Sequence, residues 1–219
     1  MSLGRHKPIA LKADIRKNTK LKPYEQGVTK KFSSYLWMLA FGMASISIVF
    51  LTLTVTYLFS KTWDTANINL VIPKIFYIDT AILILGSVAL QVAHKAFDED
   101  KVDLYKMCLY LALISGFAFL AGQLGGWYVL ADTGYGLTEH KSASFLYVIS
   151  GIHALHIIGG IVFLLYIFFK ASKGLQDPAL SIVYFSDPVP KQQLRLSRYY
   201  WHFLGVLWIY LLIFFAVVR

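Results

Sequence analysis

Cysteine is almost absent, since Cys108 is the single one among 219 residues. One thiol excludes an intrachain disulfide framework, a Cys-x-x-Cys-His haem attachment, a copper-binding cysteine pair and any cysteine-rich metal site, because each needs at least two. Charge is scarce where the chain is most apolar. Four of its five longest apolar runs contain no Asp, Glu, Lys or Arg. Internal repeats and low-complexity tracts are missing too, and the longest internal connection, about residues 170–199, is too short for a second folding unit.

What is present is hydrocarbon. With 57% hydrophobic residues and a mean hydropathy of +0.58 the chain is too apolar for a soluble domain of its size. A spanning helix needs about 20 mostly apolar residues. Five runs qualify: 36–59, 72–92, 107–130, 143–169 and 200–218. The second is the least clean, with Pro73 and Lys74 at its start and Asp79 inside. The expected fold is all-α, a polytopic membrane protein whose residues 32–219 form one bundle of five transmembrane helices behind a basic tail, residues 1–31. The tail lacks an apolar period and is expected to order only against a partner or lipid headgroups. It is too long and polar for the start of a cleavable signal, so the first helix is expected to stay in the mature protein. Pro178, Pro188 and Pro190 mark the fourth connection as irregular.

The net charge of +9 would suit nucleic acid in a soluble protein, but here the cations lie outside the apolar runs, where membrane orientation explains them. No nucleic-acid partner is expected. Nine Lys and Arg lie in the tail, namely Arg5, Lys7, Lys12, Arg16, Lys17, Lys20, Lys22, Lys30 and Lys31. The second connection adds Lys95, Lys101 and Lys106, and the fourth adds Lys170, Lys173, Lys191, Arg195 and Arg198. The other side holds only Lys61, Lys74, Lys141 and Arg219. Positive loops stay in the cytoplasm, which predicts a cytoplasmic N-terminus and an external C-terminus.

Two kinds of residue stand out within the runs. Small side chains let helices approach closely in lipid, where no hydrophobic drive separates helix from solvent. Ala118, Gly122 and Gly126 repeat at four-residue steps in the third run, and Ser150 and Ala154 do so in the fourth, so both should carry packing faces. Polar groups are costly in hydrocarbon and mark the other candidates: Asp79, Gln123, His153, His156 and His202. His153 and His156 lie about 60° apart on a helix, a spacing open either to a metal with further ligands or to hydrogen bonds with neighbouring helices. His202, beside Trp201 and Tyr199, reads as part of an aromatic belt at the cytoplasmic interface. Asp98, Glu99, Asp100 and Asp103 form an acidic loop that could gather protons or simply be solvated. On these grounds alone a transporter, a channel and a non-catalytic complex subunit all remain open. A transporter would need broken helices and paired repeats, and neither is visible.

Specific strings go further. Residues 144–160 read SFLYVISGIHALHIIGG, and the last run begins YYWHFLGVLWIY, with Trp208 six residues after His202. In order and content these resemble the two signatures of subunit III of the haem-copper respiratory oxidases. Asp79 and Thr80 look like that family's Asn-Thr pair, Ser87 and His94 follow it, and Gln123 stands where a third-helix glutamine is expected. The resemblance covers about residues 32–218. The chain departs from the family in having no carboxylate in 36–59, Gly205 where Asp is common, and no Glu near Gly126. It matches the five-helix form, without the first two helices of longer members. The resemblance implies a subunit with no catalytic residue, no metal and no redox cofactor of its own. Haem and copper would belong to partner subunits, and phospholipid would be bound. Its partners would be the oxidase catalytic subunit I, other oxidase subunits and membrane lipids, in the bacterial cytoplasmic (inner) membrane, with proton uptake sustained during turnover. An accessory subunit of a nitric oxide reductase or a quinol oxidase is the nearest alternative. Only His153, His156 and His202 lie within the runs, too few for a catalytic subunit's two haems and copper.

Overall fold

A computed structural model describes residues 23–62, 72–138 and 140–218. These form six helices: α1 Pro23–Thr62, α2 Ile75–Asp98, α3 Val102–Asp132, α4 Lys141–Gly174, α5 Pro178–Ser186 and α6 Pro188–Val218. All except α5 contain a stretch long and apolar enough to cross a membrane: Ser33–Lys61, Ile75–Asp98, Val102–Asp132, Lys141–Gly174 and Pro188–Val218. Helix is the physical consequence, because in hydrocarbon every backbone N–H and C=O must find its partner within the segment. The chain is an integral membrane protein with five spanning helices.

Several boundaries differ from the sequence reading. Helix α1 starts at Pro23, so residues 23–31 of the supposed tail are already helical, and residues 1–22 lie outside the described part. Its 40 residues rise about 60 Å, twice a hydrocarbon core of about 30 Å, so its N-terminal turns continue into water. Helix α2 begins at Ile75 rather than Ile72, because Pro73 and Lys74 form the turn that starts it, and it runs on to Asp98. The fourth connection is not irregular. Two of its three prolines start helices and Pro190 lies in the first turn of α6, since a proline costs little there, where the N–H has no intrahelical partner. Pro178 opens α5 and Pro188 opens α6, whose first N–H, from Val189, is capped by the Asp187 carboxylate at 3.0 Å.

Antiparallel α2 and α3 pair most extensively, joined by the short turn Glu99–Lys101. That turn closes with Asp100 in the left-handed region (φ 55°) while the Lys101 N–H reaches the Ala96 carbonyl at 2.9 Å. Helix α3 ends the same way over Gly134 (φ +84°), with the Tyr135 N–H on the Leu130 carbonyl at 3.0 Å. Helix α6 packs against α2, α4 and α1, and α1 touches chiefly α6 and α4. Just 11% of the α1 span is buried, against 33–44% of the others, so α1 is the peripheral helix.

The cations sort by end. At one end Lys191 pairs with Asp98 (2.6 Å), Arg198 donates to Gln91 (3.1 Å), Lys170 to Gln193 (3.1 Å) and Lys106 to the Leu175 carbonyl (2.9 Å). At the other, the Lys61 ammonium donates to the Val218 carbonyl. The ends of α1 and α6 therefore meet where the chain carries few charges.

Candidate functional site

Close approach of α2 and α3 creates the first polar site. A Cβ at Gly122 would fall on the Asp79 carboxylate, and one at Gly126 on the Phe76 ring, so both glycines are needed for α2 to seat. Gly86 serves the same seam from α2, against Ser115, and was not singled out by the four-residue pattern because it stands alone in its run. Asp79 is buried and accepts a hydrogen bond from the Gln123 amide at 3.1 Å. Its other oxygen, and the Gln123 carbonyl oxygen, have no hydrogen-bond partner among the described residues. Asp79 and Gln123, 44 positions apart in the chain, are thus brought together.

The second site is aromatic. His153 is fully buried and stacks on Trp208, with ring centroids 5.2 Å apart and planes at 27°. Phe119 stands edge-on to both, at 5.6 Å and 5.1 Å, and Phe50 of α1 approaches His153 at 6.2 Å. The Trp208 indole N–H donates to Thr80 on α2 at 3.1 Å. Four helices, α1, α3, α4 and α6, thus meet at one imidazole. The interhelical hydrogen bond expected of His153 is not formed among the described residues, where neither ring nitrogen has a partner. Packing against rings has replaced it.

The remaining candidates separate. His156 bonds the Ile152 carbonyl of its own helix at 2.7 Å, while its backbone carbonyl accepts from Tyr200 of α6 at 3.2 Å. His202 is half-buried on α6 beside Trp201, which is buried in the core, and it lines a groove between α2 and α6. Ser150 receives the Trp127 indole N–H at 2.9 Å, Tyr147 donates to the Trp127 carbonyl at 2.9 Å, and Ala154 is buried on the same helix. Ala118 is only half-buried. Cys108 packs in the core.

Among the described residues no three His, Cys, Asp or Glu side chains come together in a way that could hold a metal ion. The buried polar groups connect helices in pairs: α2 to α3 through Asp79 and Gln123, α3 to α4 through Trp127 and Ser150, α4 to α6 through Tyr200, and α6 to α2 through Trp208 and Thr80. That chain of contacts holds a bundle in register.

Comparison with known proteins agrees with this geometry. Residues 26–218 match the family Cytochrome c oxidase subunit III, a stretch that takes in all five spanning helices. The chain is 28% identical over 143 residues to a "Probable cytochrome c oxidase subunit 3" of Nocardia farcinica, covering 65% of this chain and 63% of that one. It is 28% identical over 145 residues to cytochrome c oxidase subunit 3 of Thermostichus vulcanus, with 66% and 65% covered. For cytochrome c oxidase subunit 3 of Corynebacterium diphtheriae the identity is 27% over 151 residues, with 69% and 68% covered. The chain thus spans a little under two thirds of the first two relatives. From the match over nearly the whole chain it follows that this protein belongs to the cytochrome c oxidase subunit III family.

Proposed function

We propose that this chain is the non-catalytic subunit III of a proton-pumping terminal oxidase in a bacterial cytoplasmic membrane, seated against the catalytic subunit I, with haem and copper in the partners. The observation that carries the reading is the family match over residues 26–218, which takes in both the SFLYVISGIHALHIIGG and the YYWHF strings. The geometry supports it in one further respect. On α2 the carboxylates Asp79 and Asp98 lie 19 positions apart, about 28 Å along the helix. Between them α2 offers Thr80, Ser87, Gln91 and His94 but no acid. Asp79 lies toward the end where Lys61, Lys74 and Lys141 are found, away from the basic end. A relay of acids carrying protons from the basic end through this chain has no intermediate station. The contribution is therefore mechanical: α1 to α6 form a firm wall that holds the neighbouring proton entrance and its lipids in shape.

In this reading the basic end faces the cytoplasm, and the acidic turn Asp98, Glu99, Asp100 and Asp103 lies beside the entrance. Asp98 and Glu99 are held by Lys191 and Lys101, each at 2.6 Å. The test is copurification. A tagged chain should bring down haem-bearing subunits from detergent-solubilised membranes, visible in reduced-minus-oxidised spectra. Isolation of the chain alone and free of haem proteins, from membranes that contain active oxidase, would refute the reading.

A further inference from the structure

The seam between α2 and α3 leaves two acceptors that meet no donor. Gln123 donates its amide N–H to Asp79 Oδ2 at 3.1 Å, and what remains of the pair is Asp79 Oδ1 and Gln123 Oε1, both buried and without a hydrogen-bond partner among the described residues. Buried orphans are destabilising and call for a physical reason. These two belong to one pair, and each lacks the same thing, a hydrogen. The nearest hydroxyl cannot supply it, because Thr80 donates to the Phe76 carbonyl at 2.9 Å and accepts from the Trp208 indole at 3.1 Å.

Nor do the surroundings hold a cation that would balance a negative charge. Asp79 is 1% exposed, and none of the ion pairs among the described residues involves it. On its own helix Lys74 and Tyr77 are exposed, as are Tyr128 and Asp132 on α3. Tyr210 of α6 meets Thr54 of α1, and His153 of α4 is stacked on Trp208. What lies against the carboxyl instead is the bare backbone of Gly122, where a Cβ would fall on it. An ionised carboxyl isolated in an apolar seam is so unfavourable that the group takes up a proton instead.

We propose that Asp79 and Gln123 form a proton-binding site, in which Asp79 is a neutral carboxylic acid whose Oδ1–H donates to Gln123 Oε1. A carboxylic acid offers one donor and one acceptor, and a primary amide can meet both. One proton therefore satisfies both orphans, and two hydrogen bonds close a ring between α2 and α3. The proton is bound as the seam forms and released when it opens. Gly122 makes room for the ring, since a side chain there would displace the carboxyl. This inference rests on the helix bundle and not on the oxidase reading.

Infrared spectroscopy of the full chain at neutral pH, with whatever subunits accompany it, tests the proposal through the difference between the unaltered protein and Asp79→Asn. That difference should contain the C=O stretch of a protonated carboxyl and no carboxylate bands. Gln123→Leu removes the amide and leaves the acid, so it should keep the stretch and move it to higher frequency, because the C=O has lost its N–H donor. Should Asp79→Asn fail to fold, side-chain 13C labelling of aspartate identifies the same stretch by its isotope shift, and its response to Gln123→Leu assigns it to Asp79. Carboxylate bands in place of the acid stretch would mean an ionised Asp79 whose free oxygen is met by water, and would overturn the proposal. An acid stretch that Gln123→Leu leaves unmoved would overturn it too, by showing that the acid is not bonded to the amide.

Discussion

At Asp79 one hydrogen bond from Gln123 is the only partner a buried carboxyl has among the described residues. Removing that donor should cost more than exchanging the carboxyl for an amide. Gln123→Leu is expected to lower stability by about 1–3 kcal/mol, the penalty of an abandoned buried polar group, whereas Asp79→Asn, which can still accept from Gln123, should cost clearly less. Thermal unfolding of the purified protein in detergent measures both, and an Asp79→Asn variant less stable than Gln123→Leu would contradict the assignment. The glycines give a sharper contrast. Gly122→Ala places a methyl on the Asp79 carboxylate, while Gly42→Ala meets nothing within 4 Å. The first should destabilise by about 1–3 kcal/mol, as overpacking does. The second should be neutral or slightly stabilising, because alanine is the better helix former. The pairing of Asp79 with Gln123 was legible only as two polar residues in apolar runs. Which residue faces which depends on the α2–α3 register, and that is set by Gly86, Gly122 and Gly126 together.

Among the helices α1 is held mainly by Phe50, Thr54 and Tyr57. Thr54 meets the Tyr210 hydroxyl at 3.0 Å, and Tyr57 packs edge-on to Phe145 and Phe214 at 5.5 Å and 5.7 Å. Phe41, by contrast, is 69% exposed. Tyr57→Ala should therefore lower the midpoint of detergent unfolding by the equivalent of about 3 kcal/mol, while Phe41→Ala leaves the isolated chain unchanged. Equal effects would mean that α1 is seated differently. Hydropathy located all five spans because hydrocarbon demands uninterrupted apolar runs, and it misjudged their ends because a helix continues past the lipid without being apolar. The polar start of α1 and the prolines opening α5 and α6 fell outside that signal. The helix around His202 likewise starts 12 positions earlier than its apolar run suggests.

For the molecule as a whole, the alternation of cations with five crossings makes a topological claim that can be checked directly. Cysteines introduced at Lys61 and Lys141, in a background with buried Cys108 replaced by Ser, should react with a membrane-impermeant maleimide added outside intact cells. One at Lys173 should be protected until the membrane is opened, and the reverse pattern would invert the bundle. The central claim is that this chain maintains an oxidase whose chemistry lies in its partners. Its most direct test is to measure oxygen reduction by the complex with and without this subunit, following the initial rate and its decay with turnover while haem and copper content are assayed. The account predicts that the complex lacking the chain starts at a comparable rate and then declines as it turns over. An initial rate of zero, with both haems and copper retained, would show that the chain takes part in the chemistry and would contradict the account.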